Sequence, residues 1–210
     1  MNLPNALSLA RIAATPLIAV LPFADTSGLR LLAFVLFTAA AITDYIDGRL
    51  ARSRKQETDL GRMLDPLADK ALLVGTFIPM YMLAKRFPFI TPMGPIGLSG
   101  WIVAVVIGRE LFMTVFRQAA KRRGVVIAAI GPAKWKTGFQ LVWQGAAFFW
   151  FFAATLAAER GWANEAWKAF AQFNGIVGTL CMIGAVLLTV YSLVLYLRSF
   201  GSVFAASPSR

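Results

Sequence analysis

Four of the ten acidic residues in this 210-residue chain fall in two short pieces, Asp44 and Asp47 in the first and Asp65 and Asp69 in the second. Both pieces are set between long apolar runs, where an acidic side chain costs on the order of a few kcal/mol. The spacings are three and four, so on helices each pair shares one face. Two such faces turned toward each other would gather four carboxylates, which without a cation would repel and partly protonate. With no His in the chain and a lone Cys181 far away, the ligands are hard oxygens, which select Mg, Mn or Ca over zinc. The competing reading makes them helix-end carboxylates, each neutralised by Arg49, Arg52, Arg62 or Lys70.

The neighbours fit a phosphate ligand. Gly48 has no side chain and Ala51 a small one, so a nucleotide can approach the backbone closely. Arg52 can grip phosphate oxygens bidentately. Gly48, Ala51 and Gly61 would equally allow close helix packing. The lack of His removes Ser-His triads and His bases, which leaves proton transfer to a carboxylate, Lys or Tyr.

The elements that must carry these groups are membrane helices. The chain is 58% hydrophobic, and its apolar runs are too long for a soluble core. The start, Met1-Asn2-Leu3-Pro4-Asn5, lacks the basic segment and small-residue cleavage site of a signal peptide, and it does not resemble an organelle presequence. A bacterial plasma membrane is the simplest location. The net charge of +11 sits at span ends rather than on a polar domain, which argues for anionic lipid and phosphate substrates and against nucleic acid. Cys181 is a packing residue.

In chain order, a short amphipathic N-terminal interfacial helix leads, near Ala10, into a first span ending near Phe23. Asn5, Ser8 and Arg11 lie three apart along one strip of it. A second span, Leu29 to Ile42, runs on into the Asp44 piece, and a polar connection containing Thr58 leads to the Asp65 piece. A third span covers Ala71 to Leu83, and residues 85–100, rich in Pro and Gly, form a loop. Further spans cover residues 101–116, 139–156 and 176–197. The fold class is therefore all-α, with six transmembrane helices in one domain, residues 1–203, and a disordered tail, 204–210. Six spans put both termini and the acidic motif on one side. All of the 21 Lys and Arg except Arg30, Lys85, Arg86, Arg160 and Lys168 fall on that side, so it is cytoplasmic. Arg109 in the fourth span and Arg117 just after it share a helical face, with Lys134 and Lys136 following in the chain. Arg109 needs an anion, and Glu110, adjacent on the helix, points elsewhere. An acceptor carrying a phosphate would satisfy these four cations.

The string Asp44-x-x-Asp47-Gly48-x-x-Ala51-Arg52, eight residues, then Gly61-x-x-x-Asp65-x-x-x-Asp69 resembles the signature of the CDP-alcohol phosphotransferases, with every fixed position filled. The resemblance implies transfer of a phosphatidyl group from CDP-diacylglycerol to an acceptor hydroxyl with release of CMP. It implies metal binding by the four Asp, with Mg or Mn at two per site, and Asp69 as general base. It assigns Gly48, Arg52 and Thr58 to the CDP moiety, with Ala51 and Gly61 beside them, and it turns Asn5, Ser8 and Arg11 toward the donor pocket. Pro4-Asn5 with Arg11, Gly108-Arg109-Glu110 to Arg117, and Lys134-Trp135-Lys136-Thr137 resemble bacterial members that use glycerol 3-phosphate. Members are typically homodimers. An inositol phosphate acceptor would need the same cations. A divalent-cation transporter is the rival of another class, and it would place its site at mid-bilayer.

Overall fold

The computed structural model describes residues 3–54, 59–125, 127 and 131–200; within its helices, the side chains of 3–4, 45–54, 59–63 and 65 lie outside the description. Thr58 and the tail 204–210 also fall outside it. Six α-helices follow in order: α1 (Leu3–Val20), α2 (Ser27–Arg54), α3 (Asp59–Leu83), α4 (Gly100–Arg122), α5 (Gly131–Arg160) and α6 (Glu165–Phe200). A 3₁₀ turn, Leu21–Phe23, follows α1. The segments Asn5–Phe23, Ser27–Asp44, Gly131–Arg160 and Glu165–Phe200 are long and apolar enough to cross a membrane.

The helices carry apolar residues on exposed faces as well as in the core. Along α1 Asn5, Ser8, Arg11, Thr15 and Ile18 are buried, while Leu9, Leu17 and Val20 are exposed. Along α6 Ile176, Leu180, Ile183, Leu187, Val190, Val194 and Leu197 form an exposed apolar stripe at helical spacing. Apolar residues outside and polar groups inside is the arrangement hydrocarbon solvent selects.

Two expectations change. Among the described residues no separate interfacial helix precedes the first span: α1 is continuous from Leu3, and Asn5 and Ser8 lie on the same buried stripe as Arg11. The loop at 85–100 contains a hairpin, β1 (Phe89–Thr91) against β2 (Gly94–Ile96), antiparallel with Thr91 opposite Gly94. Thr91 Oγ1 donates to the Gly94 carbonyl at 2.7 Å, and Gly94 takes a positive φ of 113° that a side chain would resist.

The chain forms two compact units. One comprises residues 1–98 and 144–178, the other 99–143 and 179–210. In the first, α1 packs against both α2 and α3. It meets α3 at Gly75, where a Cβ would stand 2.8 Å from Thr15 Cγ2. Gln144 Nε2 donates to Thr76 Oγ1 at 2.8 Å, pinning the start of this unit's share of α5 to α3. In the second, Met113, Phe116, Ala120, Ile127 and Tyr196 form a buried cluster.

Candidate functional site

In the first unit, α1, α2 and α3 each bring one charged side chain to a single point. Arg11 Nη1 donates to Asp44 Oδ1 at 2.5 Å and to Asp69 Oδ1 at 3.2 Å. One nitrogen bridging two carboxylates fixes the α2 and α3 acids as near neighbours. The Arg11 side chain is 1% exposed, whereas Asp44 and Asp69 are 50% and 60% exposed. The guanidinium is therefore the buried member of the group and the two carboxylates are its solvent-facing members. Arg11 is held to its own helix environment by Thr15, whose hydroxyl donates to the Arg11 carbonyl at 2.8 Å.

The resemblance turned Arg11 toward the donor pocket; in the structure its guanidinium pairs with Asp44 and Asp69. Lys70, a candidate partner for the acids, instead lies 3.4 Å from the Pro66 carbonyl through Nζ. Asn5 and Ser8 are buried on α1 along the Arg11 stripe. Helix α2 carries Asp47, Gly48, Ala51 and Arg52 beyond Asp44, and α3 carries Gly61 and Asp65 ahead of Asp69. The side chains of these six, and Thr58 altogether, lie outside the described residues. Among the described residues no three metal-ligating side chains converge. The donor set itself suits a hard divalent cation: two half-exposed carboxylates already paired with positive charge, and two more Asp one turn along the same helices.

The second unit gathers cations on α4 and α5 around one acid. Glu110 Oε1 accepts from Arg109 Nη1 at 2.7 Å and from Lys136 Nζ at 2.5 Å. This corrects the expectation that Glu110 points away from Arg109. Both side chains are long enough to curl together around the helix, and Arg109 is only 6% exposed, so an unpaired guanidinium there would be costly. Arg109 Nη2 also donates to Ser192 Oγ at 3.0 Å, and Arg117 Nη2 donates to Tyr196 Oη at 2.9 Å. Buried Arg109 Nε has no partner among the described residues. Lys134 is exposed and makes no ion pair among them. Three of the four cations that the sequence grouped are thus joined through Glu110 and Tyr196, and they outnumber the acid. The sequence placed Glu110 in the same segment as Arg109 but gave it no role, and nothing in it marked Ser192 or Tyr196 as members.

Comparison with known proteins follows the same lines. At 30% identity the chain is similar to CDP-diacylglycerol–glycerol-3-phosphate 3-phosphatidyltransferase 1, chloroplastic/mitochondrial, of Arabidopsis thaliana, over 97% of this chain and 64% of that one. At 35% identity it is similar to the CDP-diacylglycerol–glycerol-3-phosphate 3-phosphatidyltransferase of Cereibacter sphaeroides, over 67% and 60%. It is 31% identical to a cardiolipin synthase (CMP-forming) of Oryza sativa over 67% and 44%. The chain spans about three fifths of the length of the curated relatives it matches. The profile of CDP-alcohol phosphatidyltransferases matches residues 1–198, a stretch that contains both the carboxylate pair and the cation cluster, and the chain belongs to that family.

Proposed function

We propose that this protein transfers the phosphatidyl group of CDP-diacylglycerol to the hydroxyl of glycerol 3-phosphate, giving phosphatidylglycerophosphate and CMP. The observation that carries the reading is the meeting of Asp44 and Asp69 at one nitrogen of Arg11, which brings residues from the two halves of the acidic motif, on α2 and α3, together. Mg or Mn, two per site, held by Asp44, Asp47, Asp65 and Asp69, would supply neutralisation of the pyrophosphate and of the departing CMP. Arg52, with Gly48, Ala51, Thr58 and Gly61 beside it, receives the CDP moiety. Asn5 and Ser8 extend the Arg11 stripe toward the lipid donor. Asp69 accepts the proton of the acceptor hydroxyl as its oxygen bonds to the phosphatidyl phosphorus and the bond from that phosphorus to CMP breaks. Asp69 has the exposure this task needs, since its partner Arg11 is buried behind it.

Arg109, Arg117, Lys134 and Lys136 receive the acceptor phosphate. Cations in excess of Glu110, in a setting where Arg109 is nearly water-free, leave positive charge that a phosphate dianion satisfies. Inositol phosphate shares this chemistry and is the second acceptor to test. A cation transporter would need its acids at mid-bilayer and would release no CMP, so the acceptor panel below separates the two readings.

The whole chain to residue 203 forms one membrane domain with six spans. Helices α3 and α4, of 25 and 23 residues, extend roughly 35 Å or more at about 1.5 Å per residue, enough to cross a hydrocarbon core of about 30 Å. The protein works as a homodimer in a bacterial inner membrane, with active site and termini cytoplasmic. The test is an acceptor panel with labelled CDP-diacylglycerol in detergent micelles. CMP release should require glycerol 3-phosphate and fail with serine or no acceptor; equal release with inositol phosphate would reassign the acceptor.

A further inference from the structure

We infer that Tyr196, on α6, is the positioning residue that sets the two arginines of the acceptor-phosphate site, and that it does so from beneath, without touching the substrate. The inference rests on the acceptor assignment above and adds to it a residue from a helix that carries none of the motif. Tyr196 is fully buried and Ser192, one helical turn before it, is equally so. The Tyr196 ring lies under both guanidinium groups, with Arg117 Cζ 5.3 Å and Arg109 Cζ 5.9 Å from its centroid. Its hydroxyl accepts from Arg117 Nη2 at 2.9 Å, while Ser192 Oγ accepts from Arg109 Nη2 at 3.0 Å and donates to the Thr189 carbonyl at 3.1 Å.

Arg109 and Arg117 are eight residues, two turns, apart on α4, and their long side chains would otherwise wander independently. An aromatic face attracts a guanidinium most when water is excluded, and the ring here is dry. One ring facing two cations fixes the separation between them, and the hydroxyl fixes the rotation of Arg117. A neutral platform holds a cation without neutralising it as a carboxylate would. Glu110 takes one arm of Arg109 and Lys136, which leaves Arg117, the exposed member, fixed in place by a group that does not neutralise it. A phosphate then meets preordered donors and does not have to order them itself.

The test uses the full-length protein in detergent with CDP-diacylglycerol, varying glycerol 3-phosphate and, separately, glycerol as a phosphate-free acceptor. Tyr196→Phe keeps the ring and loses one acceptor, and should raise the KM for glycerol 3-phosphate about 5-fold. Tyr196→Leu loses both contacts and should raise it about 30-fold. The KM for CDP-diacylglycerol, the kcat at saturating acceptor and any rate with glycerol should change less than about 2-fold in the Phe variant. A merely structural tyrosine would move the donor and acceptor constants together, and that result would overturn the inference. An unchanged acceptor KM in Tyr196→Phe, with wild type dependent on glycerol 3-phosphate, would overturn the role of Tyr196 alone. A wild type indifferent to glycerol 3-phosphate would overturn the acceptor assignment and the positioning role with it.

Discussion

Arg11 is a buried cation whose carboxylate partners Asp44 and Asp69 are half in solvent, and the asymmetry decides what each substitution does. Removing a carboxylate leaves the guanidinium with less compensation in an apolar setting; removing the guanidinium leaves two acids that can hydrate and repel. Stability measured by thermal unfolding in detergent should therefore couple the pair: Arg11→Met with Asp44→Asn together should cost less than the sum of the single changes, by about 1–3 kcal/mol. Additive costs would mean that the 2.5 Å contact contributes nothing. Asp69→Asn should leave the protein folded and lower CMP release by at least about 100-fold, because the amide cannot take the acceptor proton; normal turnover would remove Asp69 as base. The four acids and their spacing were legible in the sequence because charge in an apolar run demands an explanation by itself. Their link to Arg11 was not, since no periodicity relates residues on different helices. Glu110 was misjudged because spacing rules track Cβ directions, and long side chains reach around them.

At the level of elements, α1 is the part on which the two acidic helices align. Its polar stripe from Asn5 through Arg11 was readable from the three-residue spacing, and the structure extends it to Thr15. The register of α1 on α3 depends on Gly75, whose missing side chain admits Thr15. Gly75→Leu should push the helices apart, costing about 1–3 kcal/mol by overpacking. It should also lower CMP release although it touches no charged residue, because Arg11 and Asp69 would separate. Wild-type turnover in that variant would show that the α1–α3 register is not critical. The continuation of α2 through the motif followed from its unbroken apolar pattern running into helix-compatible residues. The hairpin at 89–96 did not, since a Pro- and Gly-rich stretch reads as a loop and three-residue strands are too short for alternation to show. Its close seat against α6 at Gly178, where a Cβ would meet the Phe89 ring at 2.5 Å, is set by tertiary packing.

For the whole molecule, the sequence delivered the membrane class through length of apolar runs, while α3 and α4 were harder because functional charge dilutes their hydrophobicity. The proposed topology, read from the distribution of Lys and Arg, turns the acidic motif toward the cytoplasm. With Cys181 replaced by Ser, a single cysteine at Trp162 should react with an impermeant maleimide from outside intact spheroplasts, and one at Lys121 only after permeabilisation. The reverse pattern would invert the protein and place its carboxylates away from cytoplasmic substrates. The claim beneath all of this is that the α2 and α3 carboxylates together hold divalent cations. Mn2+ binding to the purified protein, read by electron paramagnetic resonance, tests it without reference to turnover. Saturable binding in wild type that is lost in Asp69→Asn and in Asp44→Asn is the outcome required, whereas undiminished binding in both variants would contradict it.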